Sequence, residues 1–114
     1  MLECIFCRIA SKEIPSDIVF EDENTLAFND LNPQAPVHVL VIPKNHFAHI
    51  DQAATDNELL LGSLLATASM VASLTGIVSS GYRVVTNIGF DGGQSVQHLH
   101  FHVLGGRPLA WPPG

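Results

Sequence analysis

Three histidines stand at alternate positions in the run His98-Leu99-His100-Phe101-His102-Val103-Leu104. In an extended chain, side chains alternate between the two faces with a period of two. His98, His100 and His102 therefore share one face, about 7 Å apart along the strand. Leu99, Phe101 and Val103 share the other face and can enter a core. A purely structural core face would not carry three imidazoles, because each needs hydrogen-bond partners once it is buried. The row is a candidate functional cleft, and the Gly92-Gly93-Gln94-Ser95 turn before it favours that choice. A solvated strand face and a plain metal site are the alternatives. Neutral imidazole is a good nucleophile near pH 7 and a common metal ligand.

The second candidate is Cys4-Ile5-Phe6-Cys7. A Cys-x-x-Cys pair joined by two histidines can make a tetrahedral Cys2His2 zinc site. Two cysteines can equally serve as small buried hydrophobes. A thioredoxin-like role would need a βαβ context, which the surrounding sequence lacks.

The elements that must position these residues follow from pattern. Cys4–Ala10 predicts a short helix ending before Ile14-Pro15. Ile18–Glu21 and Thr25–Asn29 predict two strands around the turn Asp22-Glu23-Asn24. Asn32-Pro33-Gln34-Ala35-Pro36 is a loop, since each proline forbids helix around it. Val37–Ile42 is a β-branched strand stopped by Pro43. Thr55 and Glu58 fit a capping box that opens a long helix to about Leu74, with Gly76 near its end. Leu60, Leu61, Leu64, Leu65, Ala68 and Val71 recur at helical spacing, so one face of this helix packs on the sheet. Tyr82–Ile88 and Val96–Leu104 predict two more strands, joined by Gly89-Phe90-Asp91-Gly92-Gly93. The order of elements implies an α+β domain over residues 1–114: a single antiparallel sheet with a long helix packed on it.

With 114 residues, 46% of them hydrophobic and 14% charged, the chain has material for one core and little tendency to disorder. Five basic against eleven acidic residues give a net charge of −6, which excludes general binding to a nucleic acid backbone. A single nucleotide remains possible, because backbone N–H groups and a few side chains can hold it. The apolar stretch from Leu59 to Val78 is broken by Gly62, Ser63, Thr67, Ser69 and Ser73, too polar to span a membrane. No signal peptide is evident at the N-terminus. The expected location is cytoplasmic, where thiols stay reduced.

The His-x-His-x-His run resembles the signature of the histidine-triad superfamily. Asp91-Gly92-Gly93-Gln94-Ser95-Val96, Leu104-Gly105-Gly106-Arg107 and Trp111-Pro112-Pro113-Gly114 resemble its Hint branch, the nucleoside phosphoramidases. Matches at Ile5-Phe6, Lys12-Glu13-Ile14-Pro15, Phe20-Glu21-Asp22, Leu26-Ala27-Phe28, Pro33-Gln34-Ala35-Pro36 and Val41-Ile42-Pro43-Lys44 extend the likeness over nearly the whole chain.

The resemblance implies that His100 is the nucleophile that forms a nucleotidyl-histidine intermediate, held in place by His102. It implies that Ser95 donates to the phosphoryl or leaving group, that Gln94 and Asn87 are further polar contacts near the α-phosphate, and that His38 joins the triad region. The third triad position is Gln in the related nucleotidyl transferases, whereas His102 places this chain with the hydrolases. Asp30 is implied as the ribose ligand; without the family it is equally a turn-capping residue. Ile5, Phe6, Ile9, Ile14, Phe28 and Leu31 are implied as an apolar slot for a purine base. Gln97 stands where Hint proteins usually carry an aromatic residue, and strand alternation puts it on the face away from the triad.

The resemblance also implies a homodimer, with the long helix and the strand near Tyr82–Ile88 at the interface, and with Trp111 of one subunit's tail at its partner's active site. Bacterial-type relatives carry structural zinc on a cysteine pair, a histidine after the Pro-Lys turn and the first triad histidine. Those positions here are Cys4, Cys7, His46 and His98. The animal-type Hint enzymes lack the cysteines and need no metal. Two other functions stay open: a dinucleoside polyphosphate hydrolase, and a nucleotide-binding or interaction protein with incidental activity.

Overall fold

The computed structural model describes residues 3–114. In chain order the elements are α1 (Ile5–Ala10), β1 (Ile18–Glu21), β2 (Thr25–Asn29), β3 (Val37–Pro43), α2 (Ile50–Asp56), α3 (Glu58–Leu74), β4 (Tyr82–Val85) and β5 (Phe101–Gly105). The strands form one sheet in the order β1-β2-β3-β5-β4, and every neighbouring pair is antiparallel. The α+β architecture is as expected.

The central strand β3 is buried on both faces after its first residue, which explains its nearly unbroken apolar sequence. On one face Ala27, Val39, Val41, Phe101 and Val103 pack against Leu64, Ala68 and Val71 of α3 and Ala53 of α2. On the other, Leu26, Phe28, Leu40 and Ile42 pack against Phe6 and Ile9 of α1. Register places His38 opposite Leu104, and Leu40 opposite His102, so these four side chains share the α1 face.

Three elements differ from expectation. A separate helix α2 precedes α3, and Thr55 lies inside it, with its hydroxyl donating to the Asp51 carbonyl at 3.2 Å. The N-cap of α3 is Asn57, whose side chain accepts from the Leu60 N–H at 3.3 Å. Asn is among the strongest capping residues. The seven-residue α2 is too short to show helical periodicity. At its other end α3 closes as the glycine predicts: Gly76 has φ +76°, and the N–H groups of Gly76 and Ile77 donate to the Ser73 and Ala72 carbonyls. That is a Schellman cap.

The last two strands are also shorter than predicted. β5 begins only at Phe101, and β4 ends at Val85. The β3–β5 ladder runs from Val37↔Gly105 to Val41↔Phe101. Beyond that pair β3 reaches Pro43, which has no N–H to offer a ladder. Among the described residues, no helix is long and apolar enough to cross a membrane.

Candidate active site

His98 and His100 lie on the stretch just before β5, and its backbone groups find partners outside the ladder. The Leu99 N–H donates to the Phe47 carbonyl at 2.6 Å. The Thr86 hydroxyl donates to the His100 carbonyl at 2.8 Å, and the His100 ring to the His98 carbonyl at 2.7 Å. Alternation survives: Leu99 joins the core under α3, while His98 and His100 are buried on the α1 side. Phe6 of α1 stands edge-on to both rings, with centroids 5.9 Å and 5.1 Å away. The rings of His100 and His102 are 5.0 Å apart.

Hydrogen-bond partners decide which nitrogen of each imidazole holds its proton. Nδ1 of His100 meets a carbonyl oxygen, so it carries the proton and the Nε2 lone pair is free. Nε2 of His98 donates to the Pro43 carbonyl at 2.9 Å, which leaves its Nδ1 lone pair beside the sulfurs of Cys4 (3.2 Å) and Cys7 (3.5 Å). Nδ1 of His38 accepts from the Gln34 N–H at 3.0 Å. The His38 proton therefore sits on Nε2, 2.9 Å from Nδ1 of His102 and 3.4 Å from a carboxylate oxygen of Asp30. Nδ1 of His102 accepts, so the His102 proton sits on its Nε2.

Burial lowers the pKa of every histidine in this group. For His98 and His102 it falls to about 4, and neighbouring imidazoles add to the effect at both. His38 and His100 are also lowered by burial, against the opposing pull of Asp30. All four are neutral at pH 7, so the lone pair on His100 is available.

His38, His100 and His102 border a cavity of about 420 Å3, a size suited to a small-molecule ligand; His98, expected on the same face, does not line it, because its ring is turned to the Pro43 carbonyl and the cysteine sulfurs. His38, His100, His102, Ser95 and Asp30 line it, and Ile5, Phe6, Ile9, Phe28 and Leu31 form its apolar wall. Asn32, Gln34, Leu40 and Val96 complete it, none of them singled out from the sequence. One Asp30 oxygen is held by the Asn32 N–H at 2.9 Å, so the turn-capping role is real and leaves the second oxygen toward His38.

Three expected contacts lie elsewhere. Ile14 is partly buried against the core cluster of Phe6, Ile9 and Leu26 and does not line the cavity wall. The Asn87 amide donates to the Gly92 carbonyl at 2.7 Å. The Gln94 amide is fully engaged: it accepts from the Gly89 N–H and donates to the Ala48 and Val96 carbonyls. Both side chains shape the 89–96 loop instead of lining the cavity. Trp111, expected at a partner's cavity, is 81% exposed and does not line its own chain's cavity. Gln97, expected on the opposite face, is exposed and borders a hollow beside Cys4, Ile5 and His46. Alternation holds back to His98 and does not extend to residue 97, which follows the 89–96 loop directly. The contributions of Thr86 and of the Gln34 and Pro43 peptide groups carry no local sequence signal.

Cys4 is the N-cap of α1, its sulfur accepting from the Cys7 N–H at 3.3 Å. The Cys7 sulfur lies 3.2 Å from Nδ1 of His46. The donor atoms of Cys4, Cys7, His46 and His98 all fall within 4.8 Å of one another. A tetrahedral zinc ion with bonds of about 2.0–2.3 Å sets its ligands roughly 3.3–3.8 Å apart. The four groups fit such an ion, and the Pro43 carbonyl on His98 Nε2 supplies the outer hydrogen bond that fixes a ligating imidazole. Burial and the Cys4 hydrogen bond push the Cys7 thiol up to about 11. The sixth histidine, His49, precedes α2 as its N-cap.

Fold and site together define an α+β histidine-triad domain. The HIT domain family matches residues 11–109, and the chain belongs to that family. It is 54% identical to an uncharacterized HIT-like protein of Synechococcus elongatus, over 98% of this chain and 97% of that one. The crystal structure of a HIT family hydrolase from Legionella pneumophila superposes with a TM-score of 0.94 at 50% identity, covering 98% of this chain and all of the other. A histidine triad nucleotide-binding protein from Candida albicans is more distant, with a TM-score of 0.82 and 32% identity over 96% of this chain and 83% of that one.

Proposed function

We propose that this protein is a nucleotide hydrolase that cleaves purine nucleoside 5′-phosphoramidates and related α-phosphate adducts through a nucleotidyl-His100 intermediate. The observation that carries the proposal is the state of His100. It is buried, neutral at pH 7 and pinned through Nδ1–H to the His98 carbonyl, with its other lone pair free beside the cavity. In the first step Nε2 of His100 bonds to phosphorus and the P–N bond to the amine breaks. The departing amine takes the proton from Nε2 of His102 as a water molecule at the open cavity gives one back to the same nitrogen, so His102 stays neutral and hydroxide is formed. In the second, that hydroxide bonds to phosphorus and the bond to His100 breaks, which restores the His100 lone pair. Splitting one displacement into two lowers each barrier.

Asp30 supports the nucleotide half of the proposal, because its carboxylate lines the cavity and the oxygen beside His38 has a lone pair left for a ribose hydroxyl. Ile5, Phe6, Ile9, Phe28 and Leu31 offer a base apolar area without base-specific donors, so adenine and guanine are both substrates. Ser95 lies at the cavity edge for the phosphoryl oxygens. The names of the Legionella and Candida relatives agree with hydrolysis and nucleotide binding respectively.

The donor set of Cys4, Cys7, His46 and His98 suits a structural zinc ion. Bound there, zinc would tie α1 to the histidine segment with no ligand position left open for substrate. A reducing, cytoplasmic setting keeps both thiols available. A second copy of the chain is the proposed partner. Leu65, Met70 and Leu74 of α3 and Tyr82 and Val84 of the edge strand β4 expose apolar surface that a homodimer would cover. Trp111 is then free to reach the other subunit's cavity. Sedimentation at micromolar concentration should show a dimer; a clean monomer removes this part.

The central test is incubation with a panel of AMP and GMP amine adducts, with release of AMP or GMP followed by chromatography. Turnover of both series, with a trapped nucleotide mass on His100, is the expected result. Absence of nucleotide release from every adduct refutes the proposal.

A further inference from the structure

The segment Gly105-Gly106-Arg107 closes β5 and lies against the proline loop 32–36. Gly106 has φ +91°, and a Cβ there would come 2.8 Å from Cβ of Pro36, so only glycine permits this approach. The approach delivers the Arg107 guanidinium to one carbonyl. Nη2 and Nε donate to the Gln34 oxygen at 2.8 Å and 3.3 Å, and Nη1 donates to the Pro108 oxygen at 2.9 Å. Among the described residues no carboxylate pairs with Arg107. Its charge is spent on the loop backbone, where charged donors make stronger bonds than neutral ones.

Gln34 is held on its other side as well. Its N–H donates to Nδ1 of His38, and its side-chain amide donates to the Asn32 carbonyl at 3.1 Å. Only the first of these bonds compels Nδ1 of His38 to be an acceptor. If Gln34 turned away, His38 could carry its proton on Nδ1. Its Nε2 lone pair would then meet the lone pair of His102 and the Asp30 carboxylate. The network could recover only by moving the His102 proton to Nδ1, which would strip Nε2 of the proton that the amine must receive.

We infer that Arg107 is a positioning residue for the histidine relay: by holding Gln34 it sets the tautomer of His38, and through His38 it keeps a proton on Nε2 of His102 beside His100. The catalytic half of this inference rests on the hydrolase proposed above; the tautomer half does not.

Long-range proton–nitrogen NMR of the full-length protein with labelled histidines reads the tautomers directly. In the wild type at pH 7.5, His38 and His102 should both show the Nε2–H form. Arg107→Ala should convert His38 to a mixture of forms, and Arg107→Lys should restore it in part. Arg83→Ala is the control: Arg83 grips the tail at the Leu109 and Ala110 carbonyls without touching Gln34, so the His38 signals should stay in place. In turnover, Arg107→Ala should lower kcat about tenfold while AMP affinity changes less than about twofold. Wild-type histidine spectra in Arg107→Ala overturn the inference. So does an equal shift of the His38 signals in Arg83→Ala, or a loss of AMP affinity as large as the loss of kcat. If the wild type turns over no adduct, the hydrolase proposal fails, and the spectra alone then decide the role of Arg107.

Discussion

Two neighbouring groups, joined by the backbone of His98, use imidazole in opposite ways. On the cavity side, His38, His100 and His102 have every nitrogen but two committed to protein partners, and those two differ: a lone pair on His100 and a proton on His102. On the other side, Cys4, Cys7, His46 and His98 turn their donor atoms toward one another, within 4.8 Å. The first arrangement is open and presents one base and one acid to whatever enters. The second is closed and suits an ion that it would surround completely. Two residues of backbone separate them, since the carbonyl that pins His100 is that of His98 itself. Reactivity here comes from what a group leaves unsatisfied.

The largest effect should come from the open side. His100→Ala should lower turnover of an AMP phosphoramidate by about 1000-fold or more, while AMP affinity measured by calorimetry stays within about threefold, because Asp30 and the apolar wall remain. Near-normal AMP release from this variant would mean that the free lone pair on His100 is not the nucleophile.

Changing the closed side should act on stability before chemistry. Cys4→Ser with Cys7→Ser should purify without zinc where the wild type carries about one ion per chain, and should cost about 2 kcal/mol, or roughly 10 °C in Tm. Its kcat should fall far less than that of His100→Ala. Equal metal content and Tm in the two proteins would reduce the cysteines to small core residues.

A third test concerns protons. His38 and His102 are neutral in the folded protein at pH values where an exposed histidine is already charged. As pH falls below about 6.5 the unfolded chain binds protons that the folded chain refuses, so stability falls. The loss should continue until His102 titrates near its folded value of about 4. Calorimetric scans should show Tm dropping steadily from pH 6.5 toward 4; a flat Tm across that window would mean that these imidazoles are not buried neutral.

The smallest expected effect is at the tail. Deleting Leu109–Gly114 removes Trp111 and the carbonyls that Arg83 holds, but no buried core residue. Tm should change by less than about 3 °C, whereas the ranking of amine leaving groups should change. Identical rankings with and without the tail would remove Trp111 from any role at the partner's cavity.

Local pattern carried much of this molecule. Alternation sorted Leu99, Phe101 and Val103 from the histidines, and it held even where the ladder had not begun. Gly76 ended α3 where a left-handed residue was needed. The apolar residues of α1 were expected at the cavity and line it, apart from its neighbour Ile14. Failures came where a local signal had a distant competitor. Thr55 and Glu58 match a capping box in sequence, yet Asn57 capped α3 because a short α2 had already claimed Thr55. Asn87 and Gln94 are polar groups beside the site, yet loop carbonyls satisfied them first.

By itself the sequence determined the α+β order of elements, the row of His98, His100 and His102 with its shared face, and the Cys4-x-x-Cys7 pair; that His38 joins the row and that His46 and His98 join the cysteines was implied only by the family resemblance. The strand and helix patterns depend on periods of two and 3.6 residues, which are properties of a few neighbouring positions. Only the tertiary structure decided which nitrogen of each histidine is a base and which an acid. Those choices belong to the Pro43 carbonyl, 55 residues from His98, to the contact between His38 and His102, 64 residues apart, and to the Gln34 peptide that Arg107 holds from 73 residues away. An imidazole has two nearly equivalent tautomers, so it takes the one its partners demand, and those partners meet only when the sheet and its loops are assembled.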